Sequence, residues 1–368
     1  MDINRIIMCV MAFGAALGGL DSVLGNRLGF GAKFEKGFQM LGTVGLSMAG
    51  IICLAPVAAE GLRTVVSPVC GVLSVDPGMF GGFLAIDMGG YPLALELAQD
   101  PRVGRFAGVI VSAIFGCTLV FTIPVGFGII GEDDRTWFTR GILLGLTAVP
   151  FALATGGLMM GLELGTILLN SLLVFIISAA LAVGVALWPS RMIRGFRVFA
   201  GVIRAVAILG LTLAAVSHLS GVVLLKSMVP LTQAMETVCS ICIVMLGCLP
   251  LAELMQRLLK VPFRLFGEKT GLDSTATTAL LLGLFSGTPA LALIPEMNSR
   301  GKVVVSAWLV STLATFGPHF AFAGSVEPGL VGPMLIAKLT GGILAAAIAM
   351  VCTRQLDEQK ETSSTHQT

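Results

Sequence analysis

The fold of this chain is decided by the stretch Asp76-Pro-Gly-Met-Phe-Gly-Gly-Phe-Leu-Ala-Ile-Asp-Met-Gly-Gly-Tyr-Pro92, where acids, glycines and prolines interrupt apolar sequence. An acidic side chain at membrane depth is costly and usually faces a cavity, so Asp87 is a candidate functional residue. Gly89, Gly90 and Pro92 follow it and are predicted to break a helix. A bilayer tolerates a broken helix only where protein or a water-lined cavity covers the freed backbone groups. The stretch therefore predicts a site for a small cation; the alternative is a kinked packing helix whose aspartate bonds a neighbour.

The composition around this stretch is that of a membrane protein. The chain has 368 residues, of which 55% are hydrophobic and 12% charged, and its mean hydropathy is +0.94. Apolar runs close to the ~20 residues that span a bilayer recur along the whole sequence. The net charge of +2 is spread over short clusters, so no nucleic-acid partner is indicated. We predict an all-α polytopic protein of about nine to eleven transmembrane helices in a lipid bilayer.

The cysteines give no sign of a metal centre or a cofactor. There are eight, nearly all inside apolar segments, where cysteine packs as a small hydrophobic residue. Cys239 and Cys242 form a C-x-x-C pair, but no second pair and no clustered histidine completes a tetrahedral site. We therefore predict no metal, no cofactor and no disulfide framework.

Apolar runs predict nine full spans and two shorter hairpins. The spans lie at about 4–24, 38–60, 103–130, 137–161, 164–188, 199–222, 232–256, 301–324 and 331–352. The first hairpin, about 63–99, contains Asp87, and the second, about 257–298, contains Ser286-Gly-Thr-Pro289. Gly287 and Pro289 are predicted to break the second hairpin as Gly89, Gly90 and Pro92 break the first. If the hairpins crossed fully, the number of spans would rise to about eleven.

The two interrupted stretches correspond at a fixed distance in sequence. A shift of 197 residues relates Asp76 to Asp273, Gly90 to Gly287 and Pro92 to Pro289. Paired interruptions in two halves point to a transporter's binding site. Five spans separate the hairpins, so the halves are predicted to be inverted, with three basic connectors in the cytoplasm. The predicted units are a first repeat at 1–161, a linker at 162–196, a second repeat at 197–352 and a disordered polar tail at 353–368.

Five polar side chains are candidates for binding the cation or another part of the same ligand. Asp87 is predicted to be the counter-ion, and Tyr91, one turn away, offers a ring and a hydroxyl; interface anchoring is its alternative role. Ser286 and Thr288 could bond a ligand hydroxyl, or cap a helix. Glu236 is a second intramembrane carboxylate, which could instead pair with Lys226. His319 is a candidate proton relay, although a hydrogen-bonded packing role is the commoner reading of such a histidine.

Seven features in this order and spacing carry a resemblance to a known family. They are Phe34-Glu-Lys-Gly-Phe38, Leu54-Ala-Pro56, Asp76-Pro-Gly-Met-Phe80, Asp87-Met-Gly-Gly90, Phe121-Thr-Ile-Pro124, Met297-Asn-Ser-Arg-Gly-Lys-Val303 and His319. The chain resembles the ethanolamine permease family known as EutH over nearly all of residues 1–352. The resemblance implies a protein of the bacterial cytoplasmic (inner) membrane that brings ethanolamine into the cell for ethanolamine utilisation, and it implies no catalytic chemistry.

The residues by themselves fit that expectation and leave two alternatives. Ethanolamine is mainly an ammonium ion at neutral pH, and a buried carboxylate beside aromatic faces is suited to hold it. A channel or carrier for another small amine or ammonium is one alternative. A membrane-embedded enzyme is the other, but no H-E-x-x-H, phosphate-binding loop or cluster of aspartates supports it. A homo-oligomer is left open.

Overall fold

The structure is a computed structural model that describes residues 3–354, except for the side chains of five of them: Ile3, Asn4, Asp87, Ala186 and Pro189. Every regular element in this part of the chain is helical, which confirms the prediction of an all-α polytopic membrane protein. The tail predicted for 353–368 lies outside the described residues beyond Arg354. Thr353 closes the last helix by donating its hydroxyl to the Ala349 carbonyl at 2.7 Å.

Eight helices in the described part of the chain are long and apolar enough to cross a bilayer. In a bilayer no water bonds an exposed backbone, so long apolar runs become continuous helices. The eight are α1 Ile3–Val23, α2 Phe30–Leu73, α4 Pro101–Ile129, α5 Arg135–Met159, α6 Leu164–Leu187, α7 Pro189–Ser220, α8 Leu231–Thr270 and α13 Val331–Cys352. The shorter helices are α3 Gly90–Leu97, α9 Ser274–Gly283, α10 Gly287–Ala292, α11 Ser299–Thr312 and α12 Pro318–Val326.

The eighth predicted span in chain order, 301–324, is a broken helix. It ends as α11 at Thr312 and begins again as α12 at Pro318, because a proline lacks the N–H that a continuous helix would bond. The freed backbone is bonded to the second hairpin instead. Ala314 N–H donates to the Gly283 carbonyl at 2.8 Å, and Phe316 N–H donates to the Leu284 carbonyl at 2.7 Å. The prediction of an uninterrupted span was therefore wrong at the middle of the bundle.

The long helices α2 and α8 also differ from the prediction. The segment at 63–74, expected to be a separate hairpin arm, continues α2 through Pro56 and Pro68 as one helix of 44 residues. In the same way α8 continues through Pro250 and Pro262 for 40 residues. At about 1.5 Å per residue each helix is roughly 60 Å long, about twice the hydrocarbon thickness of a bilayer. The hairpins proper therefore begin after these helices, at Asp76 and Asp273.

Each hairpin is closed at its base by an aspartate carboxylate. Asp76 accepts hydrogen bonds from the N–H groups of Gly78 at 2.7 Å and Asp100 at 2.8 Å. Asp273 accepts from the N–H groups of Ala276 at 2.7 Å and Asn298 at 2.9 Å. One side chain thus joins the start of the hairpin to its end, so the chain enters and leaves at the same level.

The bases of the two hairpins lie at opposite ends of α5. At the first base, Asp76 N–H donates at 2.7 Å to the side-chain oxygen of Asn170, in the helix that follows α5. At the second base, Lys302 forms an ion pair with Asp134, which directly precedes α5. A helix of 25 residues separates these points, about the thickness of a bilayer. The hairpins therefore enter the bundle from opposite faces.

Two of the basic connectors lie toward the second hairpin's base. The connector before α2 and the first turn of α2 lie against the later turns of α8, where Lys33 pairs with Glu253 at 3.1 Å and Arg257 donates to the Leu28 carbonyl at 2.8 Å. From there α8 leads to Asp273. The positive-inside rule predicts that this face is cytoplasmic and that the face of the first hairpin's base is external.

Candidate functional site

The predicted site residue Asp87 lies in a single turn between two breaks of the first hairpin. The backbone forms a 3-10 turn over Ile86–Met88 and then passes through Gly89, whose φ is 89°. A Cβ at Gly89 would lie 2.2 Å from the Ile51 side chain, so only glycine fits both the conformation and the space. The turn packs against α2, α4 and α12. The carboxylate of Asp87 is outside the described side chains, so its role stays a prediction.

The two prolines predicted to break helices instead stand in the first turns of new ones. Pro92 is the third residue of α3, and Pro289 is the third residue of α10. The first turn of a helix has N–H groups without intrahelical partners, so a proline costs little there. The breaks themselves come earlier. In the first hairpin the break is at Gly89, whose backbone is left-handed, and in the second it is at Ser286, whose backbone is extended.

Tyr91 connects the first hairpin to the second half of the chain. Its hydroxyl donates a hydrogen bond to Glu327 Oε1 at 3.0 Å, and its ring meets the Phe322 ring edge-on with centroids 5.9 Å apart. The sequence reasoning considered Tyr91 but did not weigh Glu327, which follows α12 directly. The Tyr91 hydroxyl is thus already bonded, and its ring helps to build the aromatic wall around Phe322.

The other predicted ligand-binding residues are not brought together with this hairpin. Ser286 and Thr288 are both exposed, and Ser286 makes no capping hydrogen bond although it holds the N-cap position of α10. Glu236 is exposed near the start of α8 and has no ion pair with Lys226 among the described contacts.

His319, the candidate proton relay, is buried next to a charged residue that sequence reasoning missed. Its Nδ1 lies 3.0 Å from the Nζ of Lys338, which also donates to the Ala113 carbonyl at 2.6 Å. Both side chains are buried, Lys338 completely. Lys338 stands in the apolar helix α13, where the rule that selected Asp87 would also have selected it. The three residues join α12, α13 and α4.

The part of α4 that takes this hydrogen bond is not an ordinary α-helix. Over Phe106–Gly116 and Thr118–Thr122 its backbone has π-helical hydrogen bonding, and every residue of the first segment is buried. Short π-helical segments occur often at functional sites. Thr118 adds a second link between the halves, since its hydroxyl donates to the Val310 carbonyl of α11 at 2.7 Å. The polar centre of the bundle is therefore shared by both halves.

Two cavities lie beside the turn that carries Asp87. One of about 180 Å³ and one of about 420 Å³ have Thr43, Ser47 and Met88 in both linings. The smaller also has Pro318 and Phe322 from α12 in its wall, with several methionines. Aromatic rings and polarizable thioethers are suitable surfaces for a small organic cation. In the described part of the chain no three His, Cys, Asp or Glu side chains are grouped so as to hold a metal ion.

These features define a class: a multi-pass helical membrane protein with two interrupted hairpins and buried polar groups shared by α4, α12 and α13. The profile of the family described as "Ethanolamine utilisation protein, EutH" matches residues 3–352, and the chain belongs to that family. The family is one of permeases and transporters.

Curated relatives match the chain over nearly its whole length. A protein of Bacillus subtilis (strain 168) named "Uncharacterized protein YxeR" is 37% identical over 369 residues, covering 100% of both chains. A Listeria monocytogenes protein named "Probable ethanolamine permease EutH" is 34% identical over 99% of this chain and 98% of its own. An Escherichia coli (strain K12) protein with the same name is 33% identical over 97% of each. No solved structure matches the chain.

Proposed function

We propose that the chain carries ethanolamine, as its ammonium ion, across the bacterial cytoplasmic membrane into the cell. The family and the names of three relatives support the substrate. A neutral amine crosses lipid unaided, whereas a charged group at the bilayer centre costs roughly 3 kcal/mol or more, so the protonated form needs a carrier. The carrier then supplies the enzymes that degrade ethanolamine; the chain itself performs no chemical step.

The observation that carries this proposal is the entry of two hairpins from opposite faces. The bases closed by Asp76 and Asp273 lie at opposite ends of α5, and both hairpins contain a helix break. In transporters with inverted halves the substrate binds between such broken helices, near the middle of the membrane. Here the first break, at Gly89, adjoins the cavity lined by Met88 and Phe322.

Within that cavity we assign the ammonium group to Asp87, beside Met88. A carboxylate supplies the charge, the Phe322 ring supplies a face for the cation, and Thr43 and Ser47 in the cavity wall supply partners for the substrate hydroxyl. This assignment prefers Thr43 and Ser47 to Ser286 and Thr288 as the hydroxyl partners, because the first two line the cavity and the other two are exposed.

Uptake of labelled ethanolamine into proteoliposomes tests the proposal. Removing one partner of a buried charge pair costs about 2–5 kcal/mol, so Asp87→Asn should lower saturable uptake by roughly thirtyfold or more. Asp133→Asn removes an exposed acid from the connector before α5 and is the matched control, with uptake unchanged. Equal uptake by wild type and Asp87→Asn would remove Asp87 from the site.

The same assay separates the alternatives. A channel for ammonium would pass methylammonium without saturation, and ethanolamine would fail to compete for that flux. An enzyme would return the label in a changed molecule, so chromatography of the vesicle contents decides that point. We expect saturable uptake, competition by other primary amines and recovery of unmodified ethanolamine.

A further inference from the structure

Lys338 is a buried charged residue that has no role in the transport site proposed above. It is the one charged residue between Val331 and Cys352, and its side chain is 0% exposed. A charged residue inside a membrane span is costly, rare and usually functional. Such a side chain persists where neighbouring groups accept its hydrogen bonds.

The acceptors around Lys338 suit any primary ammonium group. Its Nζ lies 2.6 Å from the Ala113 carbonyl oxygen and 3.0 Å from His319 Nδ1. A lysine ammonium has three N–H donors on a flexible stem, and ethanolamine ends in the same group. Among the described contacts, neither acceptor has a feature that would distinguish a tethered ammonium group from a free one.

This acceptor set lies next to the proposed substrate cavity. His319 follows Pro318 in α12, and Phe322 lies one helical turn further on; both neighbours line the smaller cavity. Ala113 belongs to α4, against which the turn Ile86–Met88 also packs. The acceptors and the cavity therefore share α12, in which Pro318 and Phe322 line the cavity and His319 contacts Lys338.

We propose that the ammonium group of an incoming substrate displaces the Lys338 ammonium from its acceptors, the Ala113 carbonyl and His319 Nδ1. Lys338 returns to these acceptors after the substrate is released. This inference rests on the proposed function, since it deepens the same site. Because one ammonium group replaces the other, the same acceptors hold one cation whether or not substrate is bound. Displacement also lowers the apparent substrate affinity, because only the fraction of molecules with Lys338 displaced can bind.

The first test examines the acceptor set without transport. Lys338→Ala removes three methylenes and the ammonium, a fragment matched by n-propylammonium. We expect n-propylammonium to raise the Tm of Lys338→Ala by about 3 °C or more at millimolar concentration, and to raise that of wild type clearly less, because Lys338 competes for the same acceptors. Met334→Ala, truncated on the same buried face one turn earlier, is the control and should respond no more than wild type. Equal shifts in all three proteins, or an equal effect of neutral 1-propanol, would overturn the proposal.

The second test measures displacement in a variant that keeps the side-chain volume. Lys338→Met should bind ethanolamine about ten- to hundredfold more tightly than wild type in lipid nanodiscs, because the competitor is gone. Unchanged or weaker binding by folded Lys338→Met would overturn displacement while leaving the proposed function intact. If neither protein binds ethanolamine although n-propylammonium rescues Lys338→Ala, the proposed function fails, and displacement by substrate fails with it.

Discussion

At the scale of single residues, two carboxylates outside the cavity hold the architecture together. Asp76 and Asp273 each accept backbone hydrogen bonds from both ends of a hairpin. A carboxylate makes these contacts at short range with no need for a partner cation, because helix ends offer unpaired N–H groups. Asp76 and Asp273, which correspond in the predicted repeat, thus have the same structural role: each closes the base of its hairpin.

Removing one of these carboxylates should open its hairpin. Asp273→Ala leaves the N–H groups of Ala276 and Asn298 without their acceptor, which should destabilise the protein by about 1–3 kcal/mol. Asp273→Asn keeps one acceptor oxygen and should lose less. Thermal melting in detergent measures both, with Asp133→Asn as the control; an unchanged Tm in Asp273→Ala would contradict this reading of the base.

Gly89 should be the least replaceable glycine of the first hairpin. Its φ of 89° disfavours any side chain, and a Cβ would stand 2.2 Å from Ile51. We expect Gly89→Ala to destabilise the protein by at least about 2 kcal/mol, from strain and overpacking together. Gly61→Ala, where a Cβ meets open space inside α2, should be neutral or slightly stabilising. Melting temperatures of the two variants check the contrast, and similar values would refute it.

Some polar residues of the buried centre could be singled out from the sequence and others could not, for a physical reason. Asp87, Tyr91 and His319 stand out because acids, breaks and a histidine are rare in apolar sequence. Lys338 was visible by the same rule but was read only as part of an apolar span. Glu327 was missed because it lies at a span end, where an acid is ordinarily solvated; only the fold shows that Tyr91 reaches it.

At the scale of elements, hydropathy predicts where helices run but not where they break. The broken span formed by α11 and α12 is still apolar enough in sequence to predict one span, and its break is supported by backbone hydrogen bonds to Gly283 and Leu284. Conversely Pro56 and Pro68 leave α2 continuous, since helices packed alongside can cover freed backbone groups. Tertiary contacts decide both outcomes, so the spans were predictable and their interruptions were not.

The break at Pro318 should matter more for transport than for stability. Pro318→Ala restores an N–H at the start of α12 and removes the ring that opposes the Ala314 carbonyl, so the segment between α11 and α12 is freer to become helical. We expect the uptake rate to fall at least about fivefold while the Tm stays constant or rises, a trade of the kind seen at strained functional sites. Pro262→Ala, an exposed proline in α8, is the control: its uptake should equal that of wild type. A Pro318→Ala protein with wild-type uptake would show that the break has no part in the cycle.

At the scale of the whole molecule, the proposed transport depends on the two hairpins entering the bundle from opposite faces. By the positive-inside rule, the basic residues near the start of α2 and in the later turns of α8 predict that the second base faces the cytoplasm. This arrangement gives each face of the membrane its own broken hairpin leading toward the buried centre. The equivalence of the two halves, with boundaries near 161 and 197, stays a prediction.

Cysteine labelling tests the opposite entry. In a background where exposed Cys9, Cys239 and Cys352 are replaced by serine, Gln99→Cys should react with an impermeant maleimide in intact cells. Lys269→Cys, next to the second base, should react only after the membrane is opened. Gln99 and Lys269 are both exposed, so differences in burial do not explain the result. Labelling of both positions from the same face would contradict the inverted arrangement.

The most direct test of the proposed site at Asp87 is equilibrium binding of radiolabelled ethanolamine to purified protein in nanodiscs, where no transport step contributes. We predict saturable binding to wild type that is displaced by other primary amines, and a loss of roughly thirtyfold or more in affinity for Asp87→Asn at unchanged Tm. Binding of equal strength to wild type and to folded Asp87→Asn would contradict the claim that an acid beside a broken helix receives the ammonium ion.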